Sequence, residues 1–390
     1  MLTALRAVVL IFVLGLFFSN ALLQIATILL LPFVILIIAK NFKKQNLLLI
    51  EVLIFLLFFS SLFSIYISDN PAIAGKNIIY HSILISLIPF SYLVKEDRLI
   101  NLKIISAVFT ICTLATSTVG IVRFLSGAPR AYGLYSSYYT LASILAFTIP
   151  ISIALYYYLK GFLKYLLVIS TITQIVSLWL TFTRSALIGV ILGFITAFTI
   201  FLFRIEVSKI IKRRIILAST LIITCSIILL FSTSDSRINP SLILSNPDIS
   251  SGRNIIYSDA FKVLQSDLKS NMASLIFGHG LESRKILFPN SNYTSWESDY
   301  LETLISQGFL GLLLTCLIYF LFFKKLFSSY NRLKHTDLAI FILGLLASGI
   351  SFWVISFFSS QLVGRISSSQ FVIIFSLTLF IERISEKSMN

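Results

Sequence analysis

Carboxylates and arginines gather in one polar stretch of a chain that is otherwise apolar. The stretch runs from Thr233 to Tyr300, and its closing motif is SWESDYLETLISQGFLG. Glu297, Asp299 and Glu302 lie in that motif, where the chain returns to apolar sequence. Carboxylates at such a boundary suit proton transfer or pairing with arginine. The residue types therefore predict either acid–base chemistry or charge pairing here.

Two arginines occupy positions at which a cation calls for an anionic partner. Arg184 lies in LTFTRSALIG, between two apolar runs with almost no loop, so it must lie near a membrane surface. Its partner is then a carboxylate or a ligand phosphate; the alternative is an anchor on lipid headgroups. Arg253 lies near the start of an amphipathic run, 251–269, where arginine opposes the helix dipole unless an anion binds there. The alternative at Arg253 is an ordinary exposed arginine.

The amphipathic run predicts a helix that lies on the membrane face. Ser250 or Ser251 can cap its start. Its apolar positions are Ile255, Ile256, Ala260, Phe261, Val263, Leu264 and Leu268.

The elements that must hold these residues are membrane helices. Hydrophobic residues make up 57% of the 390 residues and charged residues 12%, with a mean hydropathy of +0.95. Apolar runs of about eighteen or more residues recur along most of the length, which is typical of multi-span helical membrane proteins. The three cysteines all lie inside such runs, so neither a disulfide framework nor a zinc cluster is expected. The predicted fold class is an all-α integral membrane protein.

The apolar runs predict about twelve spans and one large polar loop that contains amphipathic helices. This divides the chain into spans 1–9 (1–232), the large loop (233–299), and spans 10–12 with the C-terminus (300–390). The predicted spans are 5–19, 21–40, 47–67, 78–94, 102–125, 137–159, 163–182, 186–204, 215–232, 300–323, 338–358 and 367–382.

Charge sets the expected orientation. The termini and alternate loops carry nearly all of the net charge of +15, so the positive-inside rule makes both termini cytoplasmic and the large loop outward. The basic balance is then a topology signal, and no nucleic-acid partner is expected. Arginines that lie on the outward side despite this bias include Arg123, Arg130, Arg237, Arg284 and Arg365.

Structural interpretations compete with the catalytic ones. Thr294-x-x-Glu297 fits a capping box, in which Glu297 folds back on a helix start. Asp299 can pair with an arginine, and it shares a helix face with Glu302. His279, between glycines in FGHGLES, is expected to be a loop residue and not a catalyst.

The order of these pieces resembles the O-antigen ligase/polymerase superfamily of bacterial envelope glycosyltransferases. The resemblance covers about the second two-thirds of the chain and lies in the order of the motifs more than in any one of them. The matching pieces are RAYGLYSSYYTLA (130–142), TFTRSALIG (181–189), SGRNIIYSDAFKVL (251–264), IFGHGLES (276–283) and SWESDYLETLISQGFLG (295–311).

The resemblance implies an enzyme that transfers a polyprenyl-diphosphate-linked glycan to a sugar hydroxyl, without nucleotide sugars, cofactor or metal. Arg184 and Arg253 match the family's diphosphate-binding arginines, and Arg130 matches an arginine in the preceding outward loop. Counted back from Gly308 and Gly311, Glu297 occupies the place of the catalytic histidine of the ligases.

Glu297 is therefore the expected base, with Asp299 and Glu302 in orienting or acceptor-side roles. The carboxylate in place of histidine favours a polymerase of O-antigen or capsule repeat units. A ligase that acts on lipid A–core is the alternative, and a lipid-linked sugar transporter is a further one. Expected partners are the lipid-linked donor, the glycan acceptor, membrane lipid and a chain-length regulator. The expected location is the bacterial inner membrane, with the active site facing outward.

Overall fold

Every regular element that the structure describes is a helix. This computed structural model describes residues 1–42, 49–75, 78–97, 102–135, 137–204, 253–336, 338–359 and 365–389. The helices are α1 (Leu2–Phe18), α2 (Asn20–Phe42), α3 (Leu49–Ile67), α4 (Pro71–Ala74), α5 (Ile78–Ile85), α6 (Leu87–Glu96), α7 (Leu102–Leu125), α8 (Tyr138–Leu155), α9 (Phe162–Leu180), α10 (Arg184–Arg204), α11 (Arg253–Ser270), α12 (Met272–Phe277), α13 (Ser283–Leu287), α14 (Asp299–Leu333), α15 (Leu338–Ser356) and α16 (Arg365–Met389). The predicted all-α class is confirmed for these ranges.

Nine helices within the described ranges are long and apolar enough to cross a membrane: α2, α3, α7, α8, α9, α10, α14, α15 and α16. Each coincides with a predicted span, so a multi-pass membrane protein is confirmed. Of the other predicted spans, 5–19 falls on α1, which has 17 residues, and 78–94 is divided between α5 and α6. The span predicted at 215–232 lies outside the described residues, and the count of twelve stays a prediction.

Pro89 explains why the predicted span 78–94 is two helices. A proline has no N–H to donate to the carbonyl four residues earlier, and its ring clashes with that carbonyl. Helix α5 accordingly ends at Ile85, and Ser86 forms a tighter turn in which its N–H donates to the Ile83 carbonyl (N···O 3.0 Å). The predicted span 78–94 therefore consists of two short helices, and its assignment as a membrane span stays a prediction.

The described chain divides into two compact units. The first unit comprises Met1–Ile105, Arg253–Ser329 and Ile355–Asn390, and the second comprises Ser106–Gly252 and Tyr330–Val354. In the first unit, Asp97 at the end of α6 joins three helices at one end. Arg6 of α1 forms an ion pair with its carboxylate, and Arg383 of α16 donates to its carbonyl (N···O 2.6 Å).

Buried polar side chains hold the helices of the second unit together. Gln174 of α9 is fully buried, accepts a hydrogen bond from Thr148 of α8 at 2.8 Å and donates to Ser152 at 3.1 Å. Ser351 of α15 donates to the Gly189 carbonyl of α10 at 3.0 Å. Hydrogen bonds and close packing of small residues suit membrane helices, whose apolar sides gain little by leaving lipid for one another.

Helix α14 is interrupted at Gly308, which has φ 68° and ψ −170°. The interruption frees carbonyls of the preceding turn, and the loop after α12 pairs with them. His279 N–H donates to the Ile305 carbonyl at 2.9 Å, and Gly280 N–H donates to the Ser306 carbonyl at 3.0 Å. A side chain at Gly308 would collide with the Ile276 backbone, so glycine permits this close approach. The helix continues to Leu333, beyond the predicted end at 323.

Candidate active site

Four helix ends are fixed together at one end of the second unit. In the loop between α7 and α8, Ala131 N–H donates to the Leu180 carbonyl at the end of α9 (N···O 2.8 Å). The ring of Phe124, near the end of α7, packs edge-on against Phe182 in the turn before α10, with the centroids 6.1 Å apart. The loop and the turn therefore form one surface, which carries Arg123, Arg130 and Arg184.

The three arginines of this surface differ in how they are held. Arg123 donates to the Gly133 carbonyl and lies over the Tyr132 ring, 4.7 Å from its centroid. Arg130 lies over the Tyr138 ring at 4.2 Å, and its buried Nε has no hydrogen-bond partner. Arg184 is the first residue of α10, is half-buried, and has no ion pair with any residue that the structure describes.

Among the residues that the structure describes in the second unit, no carboxylate compensates these cations. The sequence contains no aspartate or glutamate between Asp97 and Glu206, and the described residues of the second unit include none. Like charges held at one end of a helix bundle repel one another, and cations at a membrane boundary require an anionic partner. The surface therefore suits a ligand with several anionic oxygens. A lipid phosphate offers the same chemistry, and distinguishing the two requires a binding experiment.

The turn before Arg184 holds a strained backbone. Phe182 has φ 51°, a conformation that is an outlier for an aromatic residue. Such strain costs about 1–3 kcal/mol and persists only where the surrounding structure enforces it, which occurs most often at functional sites. Here the Phe124 ring and the hydrogen bond from Phe182 N–H to the Trp179 carbonyl (3.1 Å) hold the turn, so the start of α10 has a fixed position.

In the first unit, acidic and basic side chains are paired with each other. Helix α11 is attached by three pairs of polar side chains along its length. Arg253 lies 3.6 Å from Glu297, Asp259 lies 2.9 Å from Arg284, and Asp267 lies 2.8 Å from His279. The first and last of these are separated by fourteen residues, about 21 Å of helix. Between them, Ile256 and Ala260 are buried in a small core with Trp296 and Ile305.

Arg284 is the buried centre of this region. It is fully buried, pairs with Asp259 through Nη2, and donates from Nε to the Tyr293 carbonyl at 3.2 Å. Its guanidinium lies 4.7 Å from the Trp296 ring centroid and 5.4 Å from that of Phe288. An arginine enclosed by a carboxylate and aromatic rings acts as part of the core, so it is not available to a ligand.

Glu297 lies beside Arg253 and outside any helix. It has φ 49°, and its side chain is 38% exposed. Arg253 also donates to the Phe358 carbonyl at 3.1 Å, which fixes the arginine on a second side. The predicted neighbourhood of carboxylate and arginine is thus present in the first unit, with the expected base and one of the expected arginines in contact. Serines 250 and 251, proposed as caps for this helix, lie outside the described residues, as do Arg237 and the Arg365 side chain.

The predicted capping box at Thr294 and Glu297 was wrong, because the fold-back is made by Glu302. Its carboxylate accepts hydrogen bonds from Trp296 N–H and from the Ser306 hydroxyl, each at 3.1 Å. Helix α14 begins at Asp299, which is fully buried. Glu302 therefore holds the turn that contains Glu297.

Helix α11 confirms the predicted helix within the range that the structure describes, with two apolar stripes instead of one. Ile256 and Ala260 are buried against the rest of the first unit, whereas Phe261 and Leu268 are 67% and 62% exposed. Sequence reasoning did not identify the Asp259–Arg284 and Asp267–His279 pairs. Their partners are 25 and 12 residues apart, and no spacing rule in one sequence connects them.

The first unit contains an arginine–glutamate pair, and the described residues of the second unit form a basic surface without a carboxylate. Residues 169–316 match the family model described as O-antigen ligase, a range that includes Arg184, Arg253 and Glu297. The match confirms the resemblance to the O-antigen ligase/polymerase superfamily, whose members are glycosyltransferase-like enzymes that act on lipid-linked glycans. A comparison with curated proteins gave no match.

Proposed function

We propose that this chain is an envelope glycan polymerase, which transfers a polyprenyl-diphosphate-linked oligosaccharide to a sugar hydroxyl on a second lipid-linked repeat unit. The observation that carries the proposal is the surface with Arg130 and Arg184 in a unit whose described residues include no carboxylate. A diphosphate satisfies several arginines at once, and the family match implies a lipid-linked glycan as substrate.

The arginines stabilise the leaving group. When the bond between the anomeric carbon and the diphosphate oxygen breaks, negative charge develops on the diphosphate. We assign Arg184 and Arg253, with Arg130, to these oxygens from the sequence resemblance alone; planar guanidinium groups can each bind two oxygens. Attack by the acceptor hydroxyl in one displacement inverts the anomeric centre. The positive charge already supplied makes a divalent cation unnecessary, and EDTA should leave transfer unchanged; rescue of an EDTA-silenced enzyme by magnesium would refute this point.

Glu297 accepts the proton of the attacking hydroxyl. Its exposure and its place outside the helix leave the carboxylate accessible to an acceptor hydroxyl, as a general base requires. A diphosphate that binds Arg253 competes with Glu297 for the same guanidinium. Donor binding thereby loosens the ion pair and makes the carboxylate available as the base.

The charge pattern of the loops supports an outward active site, with both termini cytoplasmic, in the inner membrane of a bacterium. The donor's own diphosphate supplies the energy for transfer on that side. The polyprenyl chain remains in lipid beside the helices, and a chain-length regulator is a further proposed partner.

One reconstitution separates the polymerase from its alternatives. The full chain is placed in liposomes with a lipid-linked repeat unit as the only glycan, and products are resolved by gel electrophoresis. A polymerase produces a ladder of longer lipid-linked glycans. Product formation only after addition of lipid A–core would indicate a ligase, and movement of the donor across the bilayer without new glycosidic bonds would indicate a transporter; either result overturns the proposal.

A further inference from the structure

Helix α8 begins with two adjacent tyrosines, and three more, Tyr156 to Tyr158, follow its last residue, Leu155. The ring pair at the start of the helix and the first ring pair after its end differ in geometry. At the end that faces the arginine surface, the rings of Tyr138 and Tyr139 are tilted by 35° with centroids 4.6 Å apart. At the other end, the rings of Tyr156 and Tyr157 are edge-on at 87° and 5.8 Å apart. The first pair therefore approaches a flat stack, and the second does not.

The cation at each pair also differs. The planar guanidinium of Arg130 lies 4.2 Å from the Tyr138 centroid, whereas the ammonium of Lys164 lies 4.0 Å from the Tyr156 centroid. Arg130, Tyr138 and Tyr139 thus form a series of planar groups. Tyr139 is 41% exposed, and the buried Nε of Arg130 has no hydrogen-bond partner.

We infer that Tyr139, supported by Tyr138, is a stacking platform for a pyranose ring of the donor glycan. The C–H bonds on one face of a pyranose are weakly positive and pack against the negative face of an aromatic ring. Arg130 is placed in the diphosphate site by the proposed function, on which this inference rests. A donor whose diphosphate binds Arg130 brings its sugars to the neighbouring tyrosines, so one ligand contacts both the cation and the rings.

An interfacial anchor is the competing role, because tyrosines are enriched where membrane helices meet the headgroups. That role is shared by both ends of α8 and makes no distinction between lipids with and without sugar. The platform predicts an effect at Tyr139 alone, and only for a ligand that carries sugar. Tyr157, 55% exposed in the turn that follows the opposite end of this helix, is the matched control.

The experiment compares binding of two probes to the purified full chain in detergent micelles. One probe is a polyprenyl diphosphate, and the other is the same lipid carrying a short oligosaccharide of N-acetylglucosamine. The unaltered chain should bind the glycosylated probe more tightly, by about two- to tenfold, the range expected for an aromatic contact. Tyr139→Ala should remove this preference and leave the affinity for polyprenyl diphosphate unchanged. Tyr157→Ala should retain the preference.

Three further variants, together with the comparison of probes, separate failure of the platform from failure of the proposed function. Tyr139→Phe keeps the ring and should keep the preference, whereas Tyr139→Leu keeps apolar bulk without a flat face and should lose it; rescue by leucine would indicate packing and overturn the platform. Arg184→Ala should weaken both probes, so unchanged binding in that variant overturns the proposed function instead. Equal affinity of the unaltered chain for both probes, or equal weakening of both by Tyr139→Ala, would also overturn the platform.

Discussion

The arginines on the predicted outward side have different surroundings in the two units. In the first unit, Arg253 and Arg284 each have a carboxylate, at 3.6 Å and 2.9 Å. In the second unit, Arg130 and Arg184 stand in a described segment that contains no carboxylate. In the first arrangement, carboxylates of the same unit neutralise the arginines. In the second arrangement, no carboxylate among the described residues of the unit neutralises the arginines.

A position on the predicted outward side therefore does not by itself identify a ligand-binding arginine. Arg284 and Arg184 both lie on the predicted outward side of the sequence. Arg284 is nevertheless fully buried among aromatic rings and an aspartate. Arg253 stands between the two cases, because its carboxylate partner is also the proposed base. The comparison predicts three kinds of mutational effect: loss of folding, loss of transfer with folding retained, and a small change in stability.

The largest effect is expected at Arg284. Arg284→Ala leaves the half-buried Asp259 with only the exposed Lys262, at 3.8 Å, as a cationic partner, and it empties the space beside Trp296 and Phe288. Breaking a buried ion pair costs about 3–5 kcal/mol, so the variant should give little folded protein in size-exclusion chromatography. The double variant Arg284→Met with Asp259→Leu replaces the pair by apolar groups and should recover most of the folded protein. A normal yield of Arg284→Ala would contradict the structural role.

A large effect on transfer alone is expected at Glu297. Glu297→Gln removes the base, and loss of general-base catalysis lowers the rate by about 10²- to 10⁴-fold. Donor binding should persist. The control is Glu282→Gln, which alters another glutamate with positive φ (60°) that pairs with a basic residue, Lys285, and should leave transfer unchanged. If Glu297→Gln polymerises normally, the base lies elsewhere, and Asp299 is the next residue to test.

A small effect on stability is expected from the Arg253–Glu297 pair. Its side chains are 21% and 38% exposed, and exposed ion pairs contribute about 0–1 kcal/mol. A double-mutant cycle of Arg253→Ala and Glu297→Ala, read by thermal unfolding, should give a coupling energy in that range. A coupling energy of several kcal/mol would show that this pair is structural, like Arg284–Asp259. It would contradict the proposed competition between Glu297 and a diphosphate for Arg253.

Hydropathy predicted the positions of nine helices because the bilayer dictates both the length and the composition of a span. Hydropathy did not predict the points at which the local backbone interrupts a helix. Pro89 divides one predicted span, and Gly308 interrupts α14; both residues were visible in the sequence as helix breakers. The length of α14 beyond 323 was missed because the polar run FKKLFSSYNRL was interpreted as a loop.

Long-range pairs could not be predicted at all. Spacing rules connect residues three or four apart on a helix, so they predicted a capping box at Thr294 and Glu297. The fold-back is made by Glu302, which the turn at Trp296 brings into reach. Similarly, the sequence placed Arg284 on the outward side but contained nothing to connect it with Asp259. The resemblance to a family supplied the arginines and Glu297 as candidates, and the contact of Arg253 with Glu297 required the structure.

Binding of polyprenyl diphosphate to Arg184 variants tests the central claim most directly, since it needs neither acceptor nor turnover. The full chain and the variants Arg184→Ala, Arg184→Lys and, as a control at the opposite end of the second unit, Lys164→Ala are titrated with the lipid in detergent micelles. If Arg184 binds the diphosphate, Arg184→Ala should lose at least about tenfold in affinity, Arg184→Lys should recover little, and Lys164→Ala should bind unchanged. Unchanged affinity in Arg184→Ala, or full affinity with lysine as expected for a headgroup anchor, would contradict it.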